Sequence, residues 1–425
     1  MNKKKTETII KPILTFALYS VGVVLSVFGE NIDSIEGSTI IVALLHTVRL
    51  LVQDHKTILG FTLGVSSIFL YNIPSIGIAV TSKINVIPIL LGFYALSDLI
   101  AYAARKSKIP IRKMNFGLER PKDGDYILWV SLLIWCSASG FFMPPDSLSR
   151  ALSFTIPYSL SLVIFEKIIR ADLAKYRQLL MLLLYALTLA THIIFFWSGY
   201  GRLVIASLIM MPIFLLQSYR DIGLRLWKVI LLSPPLLYLA QMSRYGEFTR
   251  PEEYLVGSNG HHLIVTKEAI AISSIDPRTD WSGFFDQYIL LFLNWLPREL
   301  WPNKPLGAGW LSVEKIYGRE GYGDGFSLSL GFIGEQYYLL SSYFFVGVII
   351  VITSLACIRA VISKISCGFL APIIVFDVSL ISYIWGGSAT FGSRVWFLLF
   401  PALFFAFSLR LRLTSHVIQA IHIKP

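Results

Sequence analysis

Apolar residues fill this chain in runs of about twenty, and polar positions gather in the short stretches between them. A helix of about 20 apolar residues crosses a ~30 Å hydrocarbon core. The pattern predicts twelve such spans, at about 9–28, 38–52, 57–80, 86–104, 126–143, 147–166, 178–197, 201–217, 226–241, 337–358, 368–385 and 394–411. The second is short and carries His46 and Arg49. Prolines inside spans, such as Pro157 and Pro212, are tolerated where neighbouring helices or water satisfy the freed carbonyls. One long stretch breaks the pattern, from Gln241 to about Gly334. Within it, 283–296 (GFFDQYILLFLNWL) is apolar with a polar stripe of Asp286, Gln287 and Asn294. It is too short to span, which favours an interfacial or re-entrant helix.

Composition agrees with an all-α polytopic membrane protein. The chain is 55% hydrophobic and 15% charged, against about a quarter charged for soluble domains. A net charge of +11 raises nucleic acid as a partner, but the placement of the charge argues against it. Roughly two-thirds of the 37 Lys and Arg fall in alternate loops, and basic loops stay cytoplasmic. Both termini are therefore expected in the cytoplasm. The organisation follows as spans one to nine over 1–241, a large outer loop over 242–336, and three spans with a tail over 337–425. Lys3, Lys4 and Lys5 precede an apolar run with no small-residue cleavage site after Phe28, so the first span is expected to be retained. Cys136, Cys357 and Cys367 imply no disulfide framework.

The outer basic residues are mostly arginines, which favour planar contact with phosphate and carboxylate. Arg150, Arg202, Arg298, Arg319 and Arg394 are among them. Ser198-Gly199-Tyr200-Gly201-Arg202 is a tight turn whose arginine opens a helix, where free N–H groups also attract anions. His192 lies about a turn and a half before it. Trp385 to Arg394 (WGGSATFGSR) repeats this chemistry, and the two turns suit one diphosphate. The plain alternative for each arginine is a solvated or helix-capping side chain.

In the long loop, Pro297 to Pro305 (PRELWPNKP) presents Arg298, Trp301 and Lys304 on a proline-stiffened segment. An indole beside cations suits a sugar ring next to a phosphate. Gly318 to Gly325 (GREGYGDG), with Arg319 and Tyr322, is a flexible glycine loop and no dinucleotide fingerprint, since no βαβ unit accompanies it. Ser327 to Ile358 would be roughly 48 Å as one helix, too long for one span. Gly331-Phe332-Ile333-Gly334-Glu335 is therefore placed at the outer mouth, before the tenth span proper. There Glu335 is a partly desolvated carboxyl suited to general-base work, or a structural ion-pair partner of an arginine. His261-His262 lacks further ligands at metal spacing, so no metal is expected; His262 is kept as a second base. Asp123-Gly124-Asp125 sits in a loop too small for a nucleotide domain and reads as a helix start. Asp377, inside the eleventh span, is a functional candidate or a partner of a neighbouring polar group.

Twelve spans, cytoplasmic termini and one dominant outer loop after the ninth span resemble bacterial O-antigen and capsule repeat-unit polymerases. The proline-rich segment at 297–305, the glycine loop, Gly331 to Glu335 and the Gly201-Arg202 turn are similar to the corresponding segments of that family. The resemblance covers most of the chain in topology but only these short segments in residues. It implies a metal-independent glycosyltransferase without cofactor in the bacterial inner membrane, working at its periplasmic face. Its substrates would be oligosaccharides on undecaprenyl diphosphate, with membrane lipids and a chain-length regulator as partners. Glu335, or His262, would be the base. Arg202, Arg298, Arg394 and Arg319 would hold the diphosphate, and Trp301, Lys304 and Tyr322 the glycan. An O-antigen ligase shares this donor, though no histidine here matches that family. A lipid-linked oligosaccharide flippase should carry charge deep in many spans and lack the long loop.

Overall fold

The computed structural model describes residues 3–28, 32–52, 57–82, 84–106, 121–143, 148–170, 175–196, 202–220, 222, 224–229, 263–268, 270–271, 279–317, 327–366 and 368–422. Helix is the regular structure of these residues, and no strand occurs among them. Seven helical stretches among them are long and apolar enough to cross a membrane, and four shorter apolar helices accompany them. The chain is thus a membrane-embedded helical protein. The ninth expected span, 226–241, lies mostly outside the described residues, as do the glycine loop at 318–325 and His261 and His262.

Two compact units interleave along the chain. The first takes Met1–Ser107, Arg225–Ile352 and Leu380–Gly392, and the second takes Lys108–Leu224, Thr353–Ser379 and Ser393–Pro425.

The first unit begins with α1 (Lys3–Phe28), α2 (Ile32–Val52), α3 (Ile58–Ser66), α4 (Ile73–Ser82) and α5 (Ile87–Lys106). A π-helical turn, Ser67–Asn72, joins α3 to α4. Such turns insert one residue into the ladder and turn a side chain inward. Here it delivers Asn72, whose amide donates to Thr47 at 2.8 Å and lies 3.3 Å from His46 Nδ1, while Tyr94 donates to its carbonyl at 2.6 Å. His46 and Tyr94 stack at 3.4 Å. Arg49, which the second expected span carries, lies inside α2, only 3% exposed. Its guanidinium bonds both oxygens of Asp98 on α5, and Tyr19 adds a third donor to that carboxylate. A carboxylate in an adjacent helix makes the burial of the arginine tolerable.

The second unit holds α6 (Asp123–Phe142), α7 (Leu148–Arg170), α8 (Lys175–Phe196) and α9 (Arg202–Tyr219). Asp123-Gly124-Asp125 is the start of α6, as its composition suggests. Asp125 bonds Lys167 at the far end of α7, which makes the two helices antiparallel. Glu166 is fully buried and has four donors. Arg170 (2.6 Å), Tyr219 (2.5 Å) and the Leu370 amide (2.7 Å) bond one oxygen, and the Ala371 amide (2.7 Å) bonds the other. Those two amides open α14 (Ala371–Gly392), so Glu166 caps the positive end of a helix 200 residues away in sequence. Asp377, one and a half turns into α14, is bonded by Arg359 at 2.7 and 2.9 Å. Of the two readings open for Asp377, the structure shows the paired one.

Removing one member of a buried ion pair strands the other, at about 3–5 kcal/mol, whereas an apolar replacement of both is near neutral. Asp377→Leu should therefore lower the thermal midpoint of the detergent-solubilised protein sharply. Adding Arg359→Met should restore most of it.

Candidate functional site

Within the expected outer loop, the described residues include three short helices of the first unit: α10 (Trp281–Leu293), α11 (Ala308–Tyr317) and α12 (Gly331–Leu340). Asp280 caps α10 through the Gly283 amide at 2.8 Å, and Pro297 follows its end. Thirteen residues are too few to span, and one face carries Trp281, Phe285, Ile289 and Leu293, all exposed and four residues apart. The opposite face buries Phe284, Gln287, Leu290 and Leu291. The polar stripe fastens the helix down. Gln287 donates to the Leu306 carbonyl at 2.9 Å and accepts from the Ala308 amide at 2.8 Å. Asn294 donates to the Ala389 carbonyl at 2.6 Å.

Arg298 and Lys304 serve this same frame. Arg298 donates to the carbonyls of Lys304 (2.8 Å) and Pro305 (3.5 Å). The Lys304 ammonium donates to the carbonyls of Asn294 (2.6 Å) and Leu296 (2.8 Å), at the negative end of α10. Burial, and then the Arg298 charge, pull the Lys304 pKa below its ordinary value. Both cations therefore hold the segment's shape. Arg298 remains exposed and Trp301 half-buried, so both still border solvent.

The long apolar stretch after the glycine loop is two helices, as its length requires. Helix α12 ends at Leu340, a 3-10 turn covers Ser341–Tyr343, and α13 (Phe344–Ile365) follows with the length of a span. The break falls at Ser341, whose φ of 46° lies in the left-handed region. A non-glycine residue there is strained, and such strain concentrates at functional places.

Glu335 lies on α12, just before that break, and is 3% exposed. One oxygen accepts from the Ser388 hydroxyl at 2.5 Å, and the other from the Ser388 amide at 2.7 Å. Ser388 presents both donors because α14 kinks immediately before it, where Gly387 takes φ 75° and ψ −167°. A Cβ at Gly387 would collide with Glu335 Oε2, so only glycine serves here. The expected glycine-serine turn is thus a kinked helix that clasps a carboxyl. Helix α10 supports the kink from behind: a Cβ on Gly392 would strike the Leu290 carbonyl, and one on Gly307 would touch Ala389 at 3.0 Å.

Four of the acids named above each face a cation: Asp98 with Arg49, Asp125 with Lys167, Glu166 with Arg170, and Asp377 with Arg359. Glu335 is held by neutral donors. Among the described residues it has no arginine partner of the kind its plain alternative requires.

The helix starts place Arg150, Arg202 and Arg394 at one end of the second unit's bundle. Tyr219 meets Glu166 and the Tyr158 hydroxyl meets the Leu208 carbonyl, so α9 runs parallel to α7. That register sets Arg150, near the start of α7, level with Arg202 at the start of α9. His192 stacks on Phe154 at 4.1 Å, one turn further in, within electrostatic reach of Arg150. Helix α15 (Val395–His422) packs along α7, and Arg394 immediately precedes it. A guanidinium nitrogen of Arg394 is buried and finds no hydrogen-bond partner among the described residues. Arg319, Tyr322 and His262 lie outside the described residues, and so does the side chain of Arg202.

Sequence reasoning passed over Ser388 as a ligand of Glu335, and passed over Glu166 entirely. A glutamate in an apolar run is the signal that marks Glu166; the Ser388 contact joins residues 53 apart in sequence and left no such mark. Comparison with protein-family models, with curated proteins and with solved structures finds no match for the chain.

Gly387→Ala should break the clasp, through both its positive φ and its new methyl group. We expect a loss of about 1–3 kcal/mol in stability by thermal or denaturant unfolding. Gly37→Ala, on an exposed helix position with nothing within 4 Å, should be neutral or slightly stabilising.

Proposed function

We propose that this chain is an integral-membrane glycosyltransferase that joins glycans carried on undecaprenyl diphosphate, with O-antigen or capsule repeat-unit polymerase as its specific class. The observation that carries this reading is Glu335, a buried carboxyl held by the amide and hydroxyl of Ser388 and by no cation among the described residues. A carboxyl neutralised by an arginine is a poor proton acceptor, whereas one fixed by neutral donors keeps that capacity. In this reading the site faces the periplasm, both termini are cytoplasmic and the membrane is the bacterial inner membrane.

The reaction needs a base and a stabilised leaving group. Glu335 takes the proton from the acceptor sugar's hydroxyl. The hydroxyl oxygen attacks the anomeric carbon of the donor glycan. The bond from that carbon to the diphosphate breaks, and undecaprenyl diphosphate leaves with the electron pair. Fixed cations stabilise the charge that builds on it. Arg202 and Arg394, the arginines that the sequence singles out, have the chemistry for that role. Trp301 borders the proline-rich segment as a surface for a sugar ring.

Reconstitution with a purified lipid-diphosphate repeat unit tests this. The wild type should give a ladder of polymers. Glu335→Gln, which keeps the shape and removes the basic oxygen, should slow it by about 10²- to 10⁴-fold, and Arg202→Ala should abolish it. An unaffected ladder in both variants removes the site. In cells, loss of the gene should leave lipopolysaccharide with a single repeat unit; loss of all attached repeats would instead indicate a ligase.

A further inference from the structure

The Glu335 clasp leaves one neighbouring group unused. Tyr383 lies on α14, four residues before the Gly387 kink, and is 3% exposed. Its ring is packed between Phe332 of α12 (5.1 Å) and Phe391 beyond the kink (5.8 Å). Its hydroxyl is buried and, among the described residues, meets no partner at good hydrogen-bonding geometry. The Ser388 hydroxyl comes close enough to act on it as a weak hydrogen-bond partner, and the Glu335 charge also reaches it. Most buried phenol groups are bonded, because an orphaned hydroxyl in an apolar setting loses its hydration without replacement. Here the aromatic neighbours fix the ring, so the hydroxyl has no freedom to turn towards solvent. A weakly bonded polar group held rigidly beside a carboxyl that is itself held rigidly is a prepared position for a third polar group.

We infer that Tyr383 and Glu335 together form a subsite for a sugar hydroxyl, with the phenol positioning the hydroxyl that Glu335 deprotonates. This rests on the reading of Glu335 given above and adds the group that orients the acceptor. The chemistry fits a carbohydrate alcohol, which is donor and acceptor at once. Its proton is directed at the Glu335 carboxylate while its oxygen accepts from the Tyr383 phenol. The reacting oxygen keeps a lone pair for attack. Phe332 and Phe391, which hold the ring, set the distance between the two groups. Tyr383 is thus a positioning residue and Glu335 the base. An apolar ligand, such as a lipid chain, would leave both polar groups unsatisfied and is disfavoured there.

Tyr383→Phe is the clean variant, because it keeps the ring and deletes only the hydroxyl. It should leave the thermal midpoint unchanged or slightly raised. With the purified lipid-diphosphate repeat unit as acceptor, KM should rise about tenfold. Binding of the free repeat-unit oligosaccharide to the reconstituted protein should weaken by a similar factor, independently of turnover. Glu335→Gln should show the converse pattern, with turnover lost and oligosaccharide binding largely kept. Unchanged KM and binding in Tyr383→Phe, beside an inactive Glu335→Gln, would overturn the subsite and spare the base. A clear fall in the thermal midpoint of Tyr383→Phe would also overturn it, since the hydroxyl would then have a strong internal partner. Full activity in Glu335→Gln, or no oligosaccharide binding by the wild type, would remove both.

Discussion

A carboxylate taken out of water into a helix bundle loses several kcal/mol of hydration and must recover it from its neighbours. That constraint organises this protein. Asp98, Glu166 and Asp377 each face an arginine, and each pair ties elements distant in sequence. Arg49 and Asp98 join α2 to α5, and Arg359 and Asp377 join α13 to α14. Glu166 holds the start of α14 from α7 through two amides and through Arg170. These charges serve architecture, and they are already neutralised.

Glu335 obeys the same constraint by different means. Two neutral donors from one residue hold it, and they are available only because α14 breaks its helical geometry at Gly387. Neighbouring elements of the first unit support that break. Helix α10 lies against Gly392, Asn294 holds the Ala389 carbonyl, and Lys304 closes the end of α10. The aromatic packing of Tyr383 leaves its hydroxyl at the same place. Strain at Ser341 separates the helix carrying Glu335 from the span that follows. A buried carboxyl that keeps its proton-accepting capacity thus sits in a rigid frame, which is the arrangement general-base chemistry requires.

Much of this was legible in the sequence. Apolar runs of span length gave the helical membrane class, and 14 apolar residues between polar flanks gave α10 as a helix too short to cross. The excess length of 327–358 required a break near Glu335, and the break falls at Ser341. What the sequence concealed is pairing. Nothing local to Arg49 shows that Asp98 lies beside it. Arg298 and Lys304 carry the residue types of a phosphate site, yet both satisfy carbonyls left open by a proline-rich chain and a helix end. Residue type indicates what a side chain can bind, and only the fold decides which partner reaches it first. Ser388 could be seen as part of a flexible turn, but its contact with Glu335 depends on a kink and on two helices meeting.

The central claim is that Glu335 is chemically open where its neutralised counterparts are not. Mapping adducts of a hydrophobic carbodiimide, which attacks protonated carboxyls in apolar surroundings, tests it directly. Mass spectrometry of the labelled, membrane-embedded protein should find the adduct on Glu335, with Glu166 and Asp377 unmodified, and added lipid-diphosphate repeat unit should protect it. Adducts on Glu166 or Asp377 with none on Glu335 would contradict the account.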